Sequence, residues 1–111
     1  MSGVDPRSAV TLTVAPTKLT GYLLNPSSEH GRGKAKFFLA KGFTAESLGK
    51  ALLAHCASGS VSRVKRTAWG VVLEVTGPMP LPTGGTANIL SAWQIDDGAP
   101  GVAKLLTAHL D

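Results

Sequence analysis

The sequence predicts one α+β domain, in which two to three N-terminal helices pack on a C-terminal antiparallel β-sheet of about four strands. In the first half of the chain apolar residues recur at helical spacings, and in the second half they alternate with polar residues. The chain has 111 residues, 43% of them hydrophobic, which suits one core and leaves no room for two. We expect a single domain over 1–111, with 1–9 flexible, 10–59 mainly helical and 60–111 forming the sheet.

The helical half opens with a short alternating stretch, Val10–Val14, which could be an edge strand or an extended lead-in. A first short helix follows from Pro16, and its apolar residues lie three and four positions apart. Asn25 ends it, because a residue that precedes a proline, here Pro26, is pushed out of the α region.

Two further helices are predicted before the pattern changes. The second runs from Gly33 or Lys34 to Lys41, with Gly42 as a left-handed C-cap. The third has Thr44 as its N-cap and Glu46 in its first turn, and it ends at Ser58 and Gly59.

The second half of the chain reads as strands. Val61–Arg66 and Val71–Val75 alternate and can form a hairpin. The following segment, 77–85, contains three prolines, which predicts a loop. Ala87–Ile95 and Val102–Leu110 complete the predicted sheet.

The chain is moderately basic. It has 11 Lys and Arg against 7 Asp and Glu, a net charge of +4. Such a charge suits an anionic partner such as nucleic acid, although many proteins without such a partner share it. The cations are clustered in two short segments: Arg32, Lys34, Lys36 and Lys41, and then Arg63, Lys65 and Arg66.

Several classes of protein are excluded or disfavoured. Cys56 is the single cysteine, so no internal disulfide can form, and three scattered histidines without paired carboxylates predict neither a metal site nor a cofactor. No G-x-S-x-G elbow, signal peptide or transmembrane run is present. We expect no membrane association, and a protein that is cytoplasmic or is delivered by a secretion route not encoded in this chain.

The most suggestive segment is His30–Lys36, at a loop-to-helix junction. Gly31 and Gly33 would let backbone N–H groups approach a phosphate at the start of the helix. Arg32 and Lys34 are electrostatically unfavourable there unless an anion is bound, which hints at function. The alternative interpretation is a flexible loop followed by a solvated basic turn.

Five histidine, threonine and tryptophan side chains can be interpreted by function or by structure. His30 could be a general acid or base, or an exposed loop histidine. Thr107 and His109 share one face of the last strand, where they could donate to a phosphate and transfer a proton, or be ordinary strand residues. Trp93 could stack on a base or belong to the core, whereas His55 lies on an apolar helix face and favours packing.

Nine short motifs follow one another in order between Lys18 and His109: Lys18-Leu19, Tyr22–Pro26, His30–Arg32, Lys34-Ala35, Phe37-Phe38, Gly42-Phe43, Thr76–Pro78, Ala92-Trp93 and Lys104–Ala108. With these motifs the chain resembles an uncharacterised family of small bacterial domains that occur alone or at the ends of toxin-like proteins. That family is similar to the barnase, EndoU, colicin and RelE (BECR) class of ribonucleases. The resemblance implies helices followed by a four-stranded antiparallel sheet, and RNA cleavage without a metal.

The resemblance also implies roles for particular residues. Lys34, with His30 and Arg32, matches the contribution of the helical half, and Thr107 and His109 match that of the last strand. The family usually has a tyrosine at the position of His109. It also tends toward Pro-Arg before the final strand, a pair that is absent here.

These observations lead to the hypothesis of a ribonuclease toxin that leaves a 2′,3′-cyclic phosphate. Its partners would be RNA and a cognate antitoxin or immunity protein, and the sequence does not determine the oligomeric state. The alternatives are a non-catalytic module that binds nucleic acid or protein, and an immunity or structural partner in a toxin locus. The expected catalytic residues are His30, Lys34, Thr107 and His109, and the expected RNA-binding residues are Arg32, Lys36 and Trp93.

Overall fold

A computed structural model describes residues 6–7 and 10–111. The expected flexibility of residues 1–9 therefore falls mostly on positions outside the described residues. The elements follow one another in the order β1 (Thr11–Thr13), α1 (Pro16–Lys18), a π-helical turn (Leu19–Leu23), α2 (Arg32–Ala40), α3 (Ala45–Ser58), β2 (Ser60–Arg66), β3 (Gly70–Pro80), β4 (Thr86–Asp96) and β5 (Val102–Leu110).

The sheet differs from the prediction in its number of strands and in their direction. It has five strands in the order β1-β5-β4-β3-β2. Strand β1 pairs parallel to β5, with Thr11 opposite Val102 and Thr13 opposite Lys104, so the sheet is mixed. The predicted fold class, about four antiparallel strands behind N-terminal helices, is therefore wrong. Three residues are too few to separate an edge strand from an extended lead-in, and the partner of β1 lies at the far end of the chain.

Strand β3 is also longer than its sequence pattern suggests. We predicted a loop from Gly77, but pairing with β4 continues to Pro80, opposite Thr86. Proline is tolerated where its missing N–H faces an unpaired edge. That condition holds here because the pairing of β2 with β3 ends at Ser60 and Thr76, which leaves the outer edge of β3 open beyond that point.

The local signals at helix ends are confirmed. Gly42 has a φ of +85°, the left-handed conformation expected of a C-cap. Thr44 caps α3: Ser47 N–H donates to Thr44 Oγ1 at 3.1 Å, and Thr44 N–H donates to Ser47 Oγ at 2.9 Å. Within residues 6–7 and 10–111, no helix has the length and apolar character needed to cross a membrane.

A bulge in β5 determines which of its residues face the core. Leu105 lies opposite Trp93 and Thr107 opposite Ala92, so Leu106 is an extra residue in the ladder. After the bulge Ala108 returns to the core face. The helices pack over this face of the sheet, and the fully buried core residues include Leu23, Phe38, Leu48, Leu52, Leu73, Val75, Ile89 and Trp93.

The edge of β5 is open where the bulge occurs. Strand β1 covers only Val102–Lys104, so the outer edge of the rest of β5 has no strand beside it. Helices α1 and α2 contact β5 instead. This arrangement brings side chains from the helical half of the chain next to the last strand.

Candidate functional site

A chain of hydrogen bonds joins α2, the π turn and β5. Lys34 Nζ donates to Tyr22 Oη at 2.5 Å, and Tyr22 Oη lies 3.0 Å from Thr107 Oγ1. The Lys34 ammonium also lies 5.0 Å from the centroid of the Tyr22 ring, within cation–π range. We call Lys34, Tyr22 and Thr107 the cleft network. All three side chains are half-buried, so solvent still reaches them.

Local backbone features place Tyr22 in this position. Leu24 N–H donates to the carbonyl of Leu19 at 2.7 Å, the five-residue spacing of a π turn. Leu19 and Leu23 anchor the turn in the core. A Cβ atom on Gly31 would lie 2.5 Å from the Tyr22 carbonyl oxygen and 2.7 Å from its Cδ1 atom. Glycine at 31 therefore allows the loop to pack closely against Tyr22.

The two glycines of the His30–Lys36 segment have different surroundings. Gly31 is buried against Tyr22, whereas a Cβ atom on Gly33 would meet no atom within 4 Å. The close backbone approach that we predicted for both glycines is thus made by Gly31 to a tyrosine of the same chain. Gly33 lines an open cleft.

That cleft has a volume of about 440 Å³ and lies between α2 and the end of β5. Its lining includes His30, Lys34, Phe37, His109 and Leu110. Lys34, which donates to Tyr22, therefore belongs to the cleft network and also lines the cleft. Two imidazoles and one ammonium lie around a single opening to solvent.

The hydrogen bonding of His109 indicates which of its nitrogens can accept a proton. Nδ1 lies 3.0 Å from the carbonyl oxygen of Leu110. A carbonyl oxygen can only accept, so Nδ1 carries the hydrogen, and the lone pair of the neutral ring is on Nε2. His109 is half-buried and His30 exposed, so both rings are accessible from the cleft.

The electrostatics around Tyr22 favour an anion. Burial raises the pKa of its phenol, but the hydrogen bonds with Lys34 and Thr107 and the positive charges of Lys34 and Lys18 lower it below the ordinary value of 10.0. Helix α2 has no acidic residue in its first turn, where Arg32 and Lys34 stand. The helix N-terminus adds a partial positive charge to theirs.

The structure brings together some of the predicted residues and separates others. His30, Lys34 and His109 line one cleft, and Thr107 is connected to it through Tyr22. Tyr22 is a site residue that the sequence does not predict: its pattern places Tyr22 only in the first short helix and in a family motif. One sequence feature indicates such a role for Tyr22. It is the only tyrosine of the chain and lies among leucines, and a half-buried phenol needs a hydrogen-bond partner.

Three predicted RNA-binding residues lie outside the cleft. Arg32 and Lys36 are exposed on α2 and do not line the opening. Trp93 has no exposed surface, and its Nε1 donates to Ser91 Oγ at 2.8 Å. It therefore cannot stack on a base in this structure, and its core interpretation applies. The reason is the β4 pairing, which puts Trp93 opposite Leu73 and Leu105 on the face covered by the helices.

A second hydrogen-bonded group lies in the core. His55 Nδ1 is 3.0 Å from Ser91 Oγ, and His55 Nε2 is 2.9 Å from the carbonyl of Ile89. Ser91 also accepts from Trp93, as described above. We call His55, Ser91 and Trp93 the buried histidine cluster. His55 is 3% exposed, which agrees with the packing role expected for it. Across the described ranges, no group of three or more His, Cys, Asp and Glu residues is arranged to hold a metal ion.

Comparison with known proteins gives one family and one fold. The model of a domain of unknown function, DUF6883, matches residues 7–111. A chain of the same fold occurs in a solved contact-dependent growth inhibition toxin–immunity protein complex from Klebsiella pneumoniae 342. The two chains superpose with a TM-score of 0.69 over 96% of each, at 12% sequence identity, so the likeness concerns the fold. No curated protein is matched.

Proposed function

The chain belongs to the DUF6883 domain family, and we propose that it is a metal-independent RNA-cleaving domain of a bacterial toxin system. The observation that carries the proposal is the cleft network, which links Lys34 through Tyr22 to Thr107 beside the imidazoles of His30 and His109. The fold it shares with a chain from a toxin–immunity complex supports the toxin context. Membership of the BECR ribonuclease class is part of the proposal and comes from the sequence resemblance.

The proposed reaction is an attack of the RNA 2′-oxygen on the adjacent phosphorus. The bond to the 5′-oxygen breaks, which leaves a 2′,3′-cyclic phosphate and a 5′-hydroxyl group. His109 takes the 2′-hydroxyl proton on Nε2, because its Nδ1 is already a donor to Leu110. His30, across the cleft, gives a proton to the leaving oxygen. Proton transfer of this kind contributes a factor of about 10²–10⁴ to the rate.

The remaining groups stabilise charge on the phosphorane. Lys34 places an ammonium at the cleft, held by its hydrogen bond to Tyr22. The hydroxyls of Tyr22 and Thr107 share one hydrogen bond, which leaves the other hydroxyl hydrogen for an oxygen of the phosphate. Fixed donors of this kind contribute about 10²–10³ each. Arg32 and Lys36, exposed on α2, would contact flanking phosphates.

The test is incubation of the purified chain with RNA in excess EDTA. We expect cleavage products that end in a 2′,3′-cyclic phosphate, and an intact strand when the nucleotide before the scissile bond is a 2′-deoxynucleotide. Because the proposed nucleophile is the 2′-oxygen, the deoxy substrate is the matched control. Intact RNA, cleavage that the chelator abolishes, or products with 5′-phosphate ends would refute the proposal.

A second candidate is an immunity or binding module, and one surface favours it. Edge strand β2 and the turn after it expose Val64 by 57% and Trp69 by 76%. Arg66, two residues after Val64 on the same face of β2, forms an exposed ion pair with Asp97. Exposed apolar residues of this size, rimmed by charge, suit a protein partner. This candidate predicts intact RNA, normal growth when the chain is expressed alone, and protection of cells that express a toxin from the same locus. Growth arrest by the chain alone would favour the toxin.

A further inference from the structure

A second cavity adjoins the cleft network at the point where β1 ends. It has a volume of about 310 Å³, near the lower limit for small-ligand sites. Its lining includes Thr13, Lys18, Gln94, Lys104 and Leu106. We call it the Gln94 cavity.

Two contacts place this cavity beside Tyr22. Lys18 lines it and also holds its ammonium 5.6 Å from the centroid of the Tyr22 ring. Leu106, the extra residue of the β5 bulge, lines it and directly precedes Thr107, the hydrogen-bond partner of Tyr22. The Gln94 cavity therefore borders Tyr22 and Thr107, and Lys34, which donates to Tyr22, lines the cleft. β-bulges are frequent beside functional sites.

The lining combines an unused donor with positive charge. Gln94 Nε2 is buried and has no hydrogen-bond partner, the one side-chain atom of this kind in the described part of the chain. Buried polar groups in native proteins nearly always have a partner, so this amide suits a ligand with an acceptor oxygen. Lys104 is paired with Asp96 at 2.6 Å. Among the described residues Lys18 forms no ion pair, so its charge is available to a ligand.

We propose that the Gln94 cavity is a nucleotide subsite, which holds the base next to the scissile phosphate of a bound RNA. Gln94 Nε2 donates to a keto oxygen of uracil, cytosine or guanine, and Lys18 binds the phosphate that connects this nucleotide to the one in the cleft. Adenine has no keto oxygen, so the subsite discriminates against it. The inference rests on the proposed RNA-cleaving function, and it adds base selectivity to that function.

The experiment measures binding separately from cleavage. Two RNA pentanucleotides, one of uridine and one of adenosine, carry 2′-O-methyl groups and cannot react through the 2′-oxygen. We expect tighter binding of the uridine probe by the wild type. Gln94→Leu weakens binding of the uridine probe about tenfold, the equivalent of one lost hydrogen bond, and leaves binding of the adenosine probe unchanged. Lys18→Met weakens both, and Lys50→Met, with an exposed lysine on α3, changes neither.

The same series of variants also tests whether the protein is folded and which of the two proposals fails. Because Gln94→Leu removes an unsatisfied buried amide, its melting temperature should be unchanged or raised. Gln94→Glu is nearly isosteric but loses the donor, and it should also weaken binding of the uridine probe. Unchanged binding of the uridine probe by both Gln94 variants overturns the subsite. If such binding depends on Gln94 but native RNA stays intact in EDTA, the cleavage proposal fails and the subsite stands. If native RNA is cleaved and no probe discriminates, the subsite alone fails. If neither probe binds and native RNA stays intact in EDTA, both proposals fail.

Discussion

The buried histidine cluster and the cleft network each centre on one hydroxyl group, that of Ser91 in the first and that of Tyr22 in the second. In the buried histidine cluster every donor has a protein acceptor. Trp93 donates to Ser91, Ser91 donates to His55 Nδ1, and His55 Nε2 donates to the carbonyl of Ile89. A set of groups that satisfies itself and excludes water has no capacity left for a ligand.

The cleft network is satisfied only in part. Tyr22 accepts from one of the three N–H groups of Lys34, which leaves two donors. His109 keeps a lone pair on Nε2, and an opening of about 440 Å³ connects these groups with solvent. Histidine and hydroxyl groups thus occur in both regions. The difference in burial and in hydrogen-bond satisfaction separates the structural role of one region from the chemical role proposed for the other. Variants of the cleft network should therefore lose activity, and variants of the buried histidine cluster should lose stability.

The largest expected effect is on RNA cleavage. We expect Lys34→Met and His109→Ala each to lower kcat/KM by about 10²–10⁴, because each removes a group proposed to act on the scissile phosphate. His109→Ala should lower the free energy of unfolding by less than about 1 kcal/mol, because His109 is partly exposed. Lys34→Met also loses the hydrogen bond to Tyr22 and should lower it by about 1–3 kcal/mol. Kinetics on a defined RNA and urea unfolding measure the two effects.

Lys50→Met is the charge-matched control, because Lys50 is 77% exposed and pairs only across a helix turn with Glu46. It should keep wild-type kinetics. An equal loss of activity in this control would mean that net charge, and not the cleft, determines cleavage. Full activity in both Lys34→Met and His109→Ala would remove the cleft from the mechanism.

A smaller effect is expected from Tyr22→Phe, which keeps the ring and removes the hydroxyl. The variant loses the hydrogen bonds to Lys34 and Thr107. We expect kcat to fall about 10- to 100-fold, because Lys34 loses the group that positions it while Thr107 keeps a hydroxyl that can donate to the phosphate. If Tyr22 acts largely by positioning Lys34, the double variant with Lys34→Met should be little worse than Lys34→Met alone. Additive losses would contradict that coupling.

Variants of the buried histidine cluster should lose stability and keep their activity. Ser91→Ala leaves the Nδ1 atom of His55 and the indole N–H of Trp93 without partners. We expect the free energy of unfolding to fall by about 1–3 kcal/mol, with kcat/KM unchanged under conditions where the protein is folded. Ser62→Ala, an exposed serine that donates to the carbonyl of Glu74, should cost less than about 0.5 kcal/mol. A Ser91→Ala variant of normal stability but low activity would reverse the roles assigned to the two regions.

The features that could be predicted from the sequence are local ones. Thr44 and Gly42 mark helix ends through their own backbone chemistry, and β5 has the predicted bounds, Val102–Leu110. The features that were missed depend on contacts between distant parts of the chain. Strand β1 exists because residues near the C-terminus offer it an edge, and the proline-containing end of β3 exists because β2 stops short of it.

The same distinction applies to the candidate site. His30, Lys34, Thr107 and His109 were proposed from residue chemistry and a family resemblance, with no information on which groups would connect them. Tyr22 connects Lys34 to Thr107, and these two partners lie 12 and 85 residues along the chain from it. Trp93 shows the converse error, because a strand residue chosen for its aromatic ring lies on the helix-covered face. Strand pairing and burial determine the roles of both Tyr22 and Trp93, and neither property can be predicted from local composition.

The smallest expected effect is a change in the pKa of Tyr22, whose hydroxyl lies at the centre of the cleft network. Because the chain has one tyrosine, the ultraviolet absorbance of tyrosinate reports this residue alone. We expect the native protein to titrate below 10.0 and the urea-unfolded chain near that value. In Lys34→Met the midpoint should rise, since the hydrogen bond and charge of Lys34 are lost while burial still opposes ionisation.

A lowered pKa means that ionised Tyr22 stabilises the fold at high pH, and this contribution is lost as the pH falls through the native midpoint. A native midpoint at or above the unfolded value would contradict the short contact with Lys34.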